Sequence, residues 1–296
     1  MVLEMLVSSR SATLGSWWKL LGIGAIYATV GILLAAWVFP QYASMVMVFL
    51  TVLAMAYLMH EIILKEEEYD EDLKHEPYDI FVHHGQTLTV FMVLFFGMLI
   101  AYTFWYAVLP FSNPAQEGVF ANLDIRTVFE AQNDTVQRIT GRIYTGAITG
   151  LASGMDWFMV ILLNNLGVLF FSFLFGLFYG YGAIFVLTWN ASVIAAAAGS
   201  NFKQALSGGL AWYDQIFAFF SSWLAYMPHG VIEILAYFIA ALAAGILGAA
   251  ISRKTWRDQE KMNRVLADFV FFSVLSVLLI VIAAFIEVWI TPALVL

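Results

Sequence analysis

Long apolar runs, each about long enough to cross a bilayer, alternate with short polar connections along this chain of 296 residues. A transmembrane helix needs about 20 mostly apolar residues to span a hydrocarbon core of about 30 Å. We predict seven transmembrane helices, at 17–39, 45–64, 87–109, 157–179, 182–199, 230–251 and 267–291. The pattern therefore predicts an all-α, polytopic membrane protein.

One further segment, 209–227, is aromatic but contains Asp214 and Gln215. Charged and amide side chains are costly inside a bilayer, so we expect this segment to lie in the interface or to re-enter the membrane rather than to cross it. We also expect Pro228 to end it. The predicted fold thus has about seven transmembrane spans plus one interfacial or re-entrant helix.

Composition supports a membrane protein and narrows its partners. Apolar residues make up 62% of the chain and charged residues 11%, which excludes an ordinary soluble domain. The net charge of −8 argues against nucleic acid, whose affinity depends on Lys and Arg at phosphates. Cysteine is absent, so disulfides, thiolate metal sites and cysteine nucleophiles are excluded. We predict no metal and no cofactor. We expect the lipid bilayer and membrane or extracytoplasmic proteins as partners, and a homo-oligomer is a further candidate assembly.

The polar connections divide the chain into three regions. Residues 1–86 form an N-terminal transmembrane hairpin and an acidic loop, 87–156 the third span and a polar outer loop, and 157–296 a core of helices with a polar centre. The acidic run from Glu66 to Asp72 lacks the glycine turn of a typical divalent-cation loop. We therefore expect it to be a solvated loop or a helix extension.

Lys and Arg in the connections predict the orientation, because cytoplasmic loops are enriched in them. The strongest basic cluster lies between Arg253 and Arg264, and a seven-span count places it on the same side as Arg10 and Lys19. We therefore predict a multi-pass protein of the cell membrane with a cytoplasmic N-terminus. The loop 111–156 and the C-terminus are then outside.

Six polar residues interrupt the apolar spans at similar predicted depths. They are Asn164, Asn165, Asn190, His229, Glu233 and Glu287. An ionisable side chain in a bilayer costs about 2.5–3.5 kcal/mol on insertion scales, so such residues are candidates for a functional site. We expect these six to form one intramembrane polar cluster, most of it in the outer half of the bilayer.

Helical spacing adds a packing prediction. In the span at 230–251, polar and small residues share one face, and the opposite face carries Ile232, Leu235, Ile239, Leu242 and Ile246. Because small residues let transmembrane helices approach closely, we expect the small face to contact protein and the other to contact lipid. The predicted packing residues are Ser172, Gly176 and Gly180 on one helix and Ala241, Gly245 and Gly248 on another.

The pair His229 and Glu233 leaves two interpretations open. It is either a hydrogen-bonded pair at a helix start, with Pro228 in the first turn, or a site that binds an ion or a polar group of a partner. Hydrolase chemistry is disfavoured, since the sequence contains no H-E-x-x-H, no G-x-S-x-G and no phosphate-binding G-x-x-x-x-G-K-[ST] motif.

Several short motifs between about 160 and 252 resemble the stage II sporulation protein M family, most closely its archaeal branch. They are Asn164-Asn165-Leu166, Phe175-Gly176, Gly180-Tyr181-Gly182, Leu187-Thr188-Trp189-Asn190-Ala191-Ser192, Pro228-His229-Gly230-Val231-Ile232-Glu233 and Ala236-Tyr237-Phe238. The family's namesake is a polytopic component of an engulfment complex that holds cell-wall hydrolases at the membrane. The resemblance therefore implies a membrane scaffold rather than an enzyme.

The leading functional hypothesis is an integral membrane scaffold or assembly protein without catalytic activity. The alternative is a transporter or channel for an ion or small solute, which would use the Asn, His and Glu cluster. The two hypotheses differ in whether a stoichiometric protein partner exists.

Overall fold

A computed structural model describes residues 17–72, 77–112, 122–138, 153–179, 183–208 and 212–292, and within these ranges the chain is helical with no strand. The helices are α1 (Trp17–Val38), α2 (Ala43–Asp72), α3 (Pro77–Val108), α4 (Ile125–Val128), α5 (Gly154–Tyr179), α6 (Ala183–Ser207), α7 (Trp212–Ser252) and α8 (Gln259–Phe285). A π-helical turn, Ile286–Ile290, continues α8. The predicted all-α membrane fold is confirmed.

Six helical segments in the described part of the chain are long and apolar enough to cross a membrane. They are Trp17–Val38, Leu88–Val108, Gly154–Leu177, Ile184–Ser207, Tyr226–Ser252 and Gln259–Ile290. The predicted second span corresponds to α2, which has a shorter apolar stretch, Pro40–Ala56. Helix α2 then continues through the acidic run to Asp72, so this run is a helix extension.

Contacts between helices give their relative directions. Along α5 and α7, the contact of Asn165 with Glu233 is followed by that of Gly176 with Ala244, so these two helices are parallel. Helices α7 and α8 are antiparallel, because His229 lies near Thr291 and Ala243 packs in the same small cluster as Phe272.

The directions of α1, α3 and α6 follow from their contacts in the same way. In α1 and α3, Gly24 approaches Leu94 and Thr29 bonds Trp105, so the two helices are parallel. Helix α6 is parallel to α3 as well, because contacts of Thr188 with Met98 and of Gly199 with Tyr106 follow each other along both chains. These directions alternate as a chain with seven crossings requires.

Helix α7 corrects the prediction for 209–227. The described part of this segment, from Trp212 onward, is not a separate helix, because α7 runs without interruption for 41 residues with Pro228 inside it. At 1.5 Å per residue the helix is about 60 Å long, about twice the hydrocarbon thickness. Proline lacks an N–H, so one backbone hydrogen bond is missing at this point, but the helix continues on both sides of it. Pro228 therefore does not mark a first turn either.

Helix α7 is also the central helix of the bundle. In an apolar stretch of 18 residues within α7, 89% of the residues are buried, against 17% in the corresponding stretch of α5 and 28% in that of α8. The predicted lipid contact of Ile239, Leu242 and Ile246 is wrong, since all three are buried in protein. Lipid tails and a protein interior are equally apolar, so hydrophobicity alone does not distinguish the two environments.

Two pairs of helices meet at glycines. A methyl group at Gly176 would lie 2.8 Å from the Cβ of Ala244, and one at Gly248 would lie 3.2 Å from the carbonyl carbon of Leu177. The second crossing joins α1 and α3, where a methyl group at Gly24 would overlap the Leu94 carbonyl. At both crossings the backbones are in direct contact.

The remaining predicted packing residues lie near the crossing of α5 and α7. Ala241 and Gly245 of α7 both approach Gly176. Ser172 of α5 is fully buried and donates its hydroxyl to the carbonyl of Val168. Gly180 lies outside the described residues.

The polar segment after α3 packs into one end of the bundle. Asp124 caps α4 by accepting a hydrogen bond from the Thr127 amide at 2.8 Å. Gln132, in the helical stretch 130–138, is fully buried, and its amide donates to the Ser44 carbonyl and to the Ser192 hydroxyl. This segment is thus part of the folded core.

Candidate polar cavity

A cavity of about 280 Å³ lies between α5, α6, α7 and the π-helical turn. The side chains that line it include Asn164, Asn165, Asn190, His229, Glu233 and Glu287. The structure thus brings all six residues of the predicted polar cluster to one cavity. Each helix contributes at least one of them, so the cavity exists only in the assembled bundle.

The α5 side of the cavity contains a chain of hydrogen bonds. The Asn164 amide donates to the Asn165 side-chain oxygen at 3.4 Å, and the Asn165 amide donates to the Glu233 carboxylate on α7. Asn165 is buried, whereas Asn164 lies on the exposed side of the helix. Asn165 therefore connects the two helices, and Asn164 supports it from the rim.

The opposite side is formed by α7 and the end of α8. The ring nitrogen Nδ1 of His229 lies 3.1 Å from the hydroxyl of Thr291, and the histidine is 7% exposed. Glu287 lies in the π-helical turn. A π-helical turn adds one residue to a helix and often occurs at functional sites.

His229 and Glu233 do not form the mutual hydrogen bond that one of the two interpretations assigned to them. Instead, His229 pairs with Thr291 of the last helical turn, and Glu233 pairs with Asn165 of α5. Both residues lie on the cavity side of α7, but each connects α7 to a different neighbour. The two positions thus tie three helices together around the cavity.

Asn190 enters the cavity from α6. Its amide group donates to the Val186 carbonyl one turn earlier at 2.7 Å. That bond uses one of the amide's donors and keeps the side chain close to its own helix. Asn190 therefore contributes a polar surface to the cavity without linking α6 to a neighbour through that bond.

Other lining residues were not in the predicted cluster. Trp157, Tyr226 and Tyr237 provide aromatic rings, and Val136 comes from the polar segment after α3. Sequence periodicity places Tyr237 on the same face as Glu233, which was the available signal. Trp157 and Tyr226 carry no such signal, because aromatic residues are common near membrane interfaces.

The cavity presents polar groups in a largely apolar surrounding. Carboxyl, amide, imidazole and hydroxyl groups converge within a mostly apolar bundle, as in other small-molecule sites. Among the described residues, no group of three or more His, Cys, Asp or Glu could hold a metal ion. The donors and acceptors present are suited to a small polar or charged group.

Comparison with known proteins identifies the family. The family described as stage II sporulation protein M matches residues 25–292, which is most of the chain. The chain belongs to the stage II sporulation protein M family. The family match extends well beyond 160–252, where the resembling motifs lie, and covers every residue that lines the cavity.

One relative of the chain comes from an archaeon. The chain is 30% identical over 137 residues to an uncharacterized protein of Methanocaldococcus jannaschii. The matched stretch covers 46% of this chain and 71% of the relative. No solved structure matches the chain. Membership in the stage II sporulation protein M family, together with the apolar helices, makes this chain a membrane protein.

Proposed function

We propose that this member of the stage II sporulation protein M family is a non-catalytic membrane scaffold, which holds membrane or extracytoplasmic protein partners. The observation that supports this function best is the cavity itself. Hydrogen bonds from Asn165 to Glu233 and between His229 and Thr291 join α5, α7 and the chain after α8 around it. Such cross-links make a preorganised polar surface, which loses little entropy when a partner group binds.

Affinity purification from native membranes tests the scaffold. The tagged protein should retain a stoichiometric partner, and Glu287→Gln should lose it while remaining folded, because the amide keeps the shape of the side chain and removes its charge. Glu260→Gln is the matched control, since Glu260 lies on α8 with its side chain 80% exposed. A protein that purifies alone from native membranes contradicts the scaffold.

We propose that the N-terminus is cytoplasmic and that loop 111–156 and the C-terminus are outside. The basic cluster at 253–264 supports this orientation through the positive-inside bias. The absence of cysteine permits a background-free test with Phe120→Cys and Asp258→Cys. An impermeant maleimide should label position 120 in intact cells and position 258 only after permeabilisation. Labelling of both positions in intact cells would reject the arrangement.

A second candidate function is transport of an ion or small solute. It is favoured by the irregular backbone beside the cavity, namely Pro228 within α7 and the π-helical turn around Glu287. Transporters often have irregular helical backbone beside a polar binding site. Proteoliposomes distinguish the two functions: solute flux that Glu287→Gln abolishes supports transport, and absence of flux together with a retained partner supports the scaffold.

A further inference from the structure

We infer that the polar cavity binds an organic ammonium group, either of a small soluble amine or of an ethanolamine lipid head group. The inference deepens the proposed role of the cavity in recognition and rests on it. It depends on the charge, the volume and the aromatic lining of the cavity.

The first argument is charge. Glu233 and Glu287 both line the cavity, and their carboxyl groups are near enough to interact electrostatically. Among the described residues that line it, none is Lys or Arg. A carboxyl group in a low-dielectric interior either takes up a proton or requires a compensating positive charge. A cationic ligand would supply that charge to the ionised carboxylates, so it complements this lining better than an anion or an apolar molecule.

The second argument concerns the kind of cation. A volume of about 280 Å³ greatly exceeds that of a bare metal ion, since one water molecule occupies about 30 Å³. The described residues also lack a cluster of three or more ligands suited to a metal. A small ammonium ion with a short carbon chain fills more of this space, and its N–H groups can donate to carboxyl and amide oxygens.

The third argument is the aromatic lining. Trp157, Tyr226 and Tyr237 line the same cavity as the two glutamates. The faces of aromatic rings attract cations, and tryptophan does so most strongly. A site that combines carboxyl groups with aromatic rings is the usual surrounding of alkylammonium ligands, and a strongly hydrated alkali ion gains less from the rings.

Thermal unfolding of the purified protein tests the inference without any protein partner. In amine-free detergent micelles, followed by tryptophan fluorescence, ethanolamine hydrochloride should raise the midpoint. The expected rise is about 3 °C for each tenfold increase in concentration above the dissociation constant. Potassium chloride at equal ionic strength should not do so. The ethanolamine effect should be lost in Glu287→Gln and retained in the exposed-site control Glu260→Gln.

The outcomes separate this inference from the scaffold proposal. Equal shifts with potassium and ethanolamine, or an ethanolamine shift that survives in both Glu233→Gln and Glu287→Gln, would overturn the ammonium site while leaving partner retention untouched. Nanodiscs identify the source of the group. If, without free amine, the protein is more stable in phosphatidylethanolamine nanodiscs than in phosphatidylcholine nanodiscs, the bound ammonium group is that of the lipid head group. Stabilisation by free ethanolamine alone assigns a soluble amine.

Discussion

Helices α5 and α7 meet at two places that differ in chemistry. At one, Gly176 and Gly248 bring the backbones together with almost no side chain between them. At the other, Asn165 and Glu233 keep the helices apart by the length of two polar side chains and join them by a hydrogen bond. The glycine contact requires that no side chain stands between the helices. The polar contact requires that each side chain has its hydrogen-bond partner.

The difference shows that α5 and α7 pack closely at one position and place polar groups beside a cavity at another. The glycine crossing leaves no room for a ligand, whereas the polar contact borders a cavity. Since the two helices are fixed at the crossing, the geometry of the polar end is set by a contact about eleven residues away. Substitutions at the two places should therefore differ in size and in kind.

The largest effect is expected at the crossing. Gly248→Leu should prevent correct assembly or destabilise the protein by about 3 kcal/mol or more, because the side chain would enter the backbone of α5 at Leu177. Monodispersity in size-exclusion chromatography and the thermal unfolding midpoint measure this effect. Gly230→Leu, on the same helix, is the control, since nothing lies within 4 Å of a methyl group there. Equal behaviour of the two variants would mean that the crossing is not tight.

A smaller loss is expected at the crossing of α1 and α3. Gly97→Ala adds only a methyl group, which would overlap the carbonyl of Leu21, so we expect a loss of about 1–3 kcal/mol. Gly22→Ala in α1 serves as the control, because its methyl group meets nothing within 4 Å. Reversible unfolding by sodium dodecyl sulfate in mixed micelles gives both values. A stabilised Gly97→Ala variant would contradict the proximity of the two helices.

The polar contact should show coupling rather than a simple loss of volume. Asn165→Ala and Glu233→Ala should each destabilise the protein, but the double variant should cost less than their sum, by about 0.5–3 kcal/mol. The reason is that removing one partner leaves the other buried and unsatisfied. The same unfolding assay, applied to the parent, the two single variants and the double variant, gives the coupling energy of this double-mutant cycle.

A second cycle sharpens this result. His229→Ala combined with Glu233→Ala should be closer to additive, since the two residues bond to different helices. Strong coupling between His229 and Glu233, with none between Asn165 and Glu233, would restore the hydrogen-bonded pair that the sequence suggested and would reject the observed pairing.

The smallest effect is expected at Thr291. Thr291→Val keeps the shape of the side chain and removes the hydroxyl that pairs with His229, which should cost about 1 kcal/mol. Thr89→Val is the control, because the Thr89 hydroxyl bonds a carbonyl of its own helix on an exposed surface. A loss at Thr291 no larger than at Thr89 would show that the histidine does not depend on this contact.

The sequence was sufficient for the class of fold and for the six polar residues of the cavity. Polar side chains within apolar runs are conspicuous, because each needs a partner inside the protein. Their convergence on one cavity required a correct helix count and correct relative directions. The partners within the cavity were harder to predict, since Thr291 and Asn165 become neighbours of α7 only through tertiary packing.

Other features could not be read from local pattern. Gly24 and Gly97 lie in different helices without any repeated spacing, so their contact required the packing of α1 on α3. The burial of Ile239 and Leu242 could not be predicted from the sequence, because an apolar side chain is equally stable in lipid and in a protein interior. Pro228 usually ends helices in soluble proteins, but here α7 is held by neighbours along its membrane segment and continues.

The long sequence separation of the two polar contacts sets an order of events during synthesis. Glu233 is made 68 residues after Asn165, and Thr291 is made 62 residues after His229. At about 5–20 residues per second, each interval lasts roughly 3–14 s. For that time the nascent asparagine and histidine lack their final partners. Helix α5 therefore waits for α7, and α7 for the chain after α8, before these polar side chains reach their final partners.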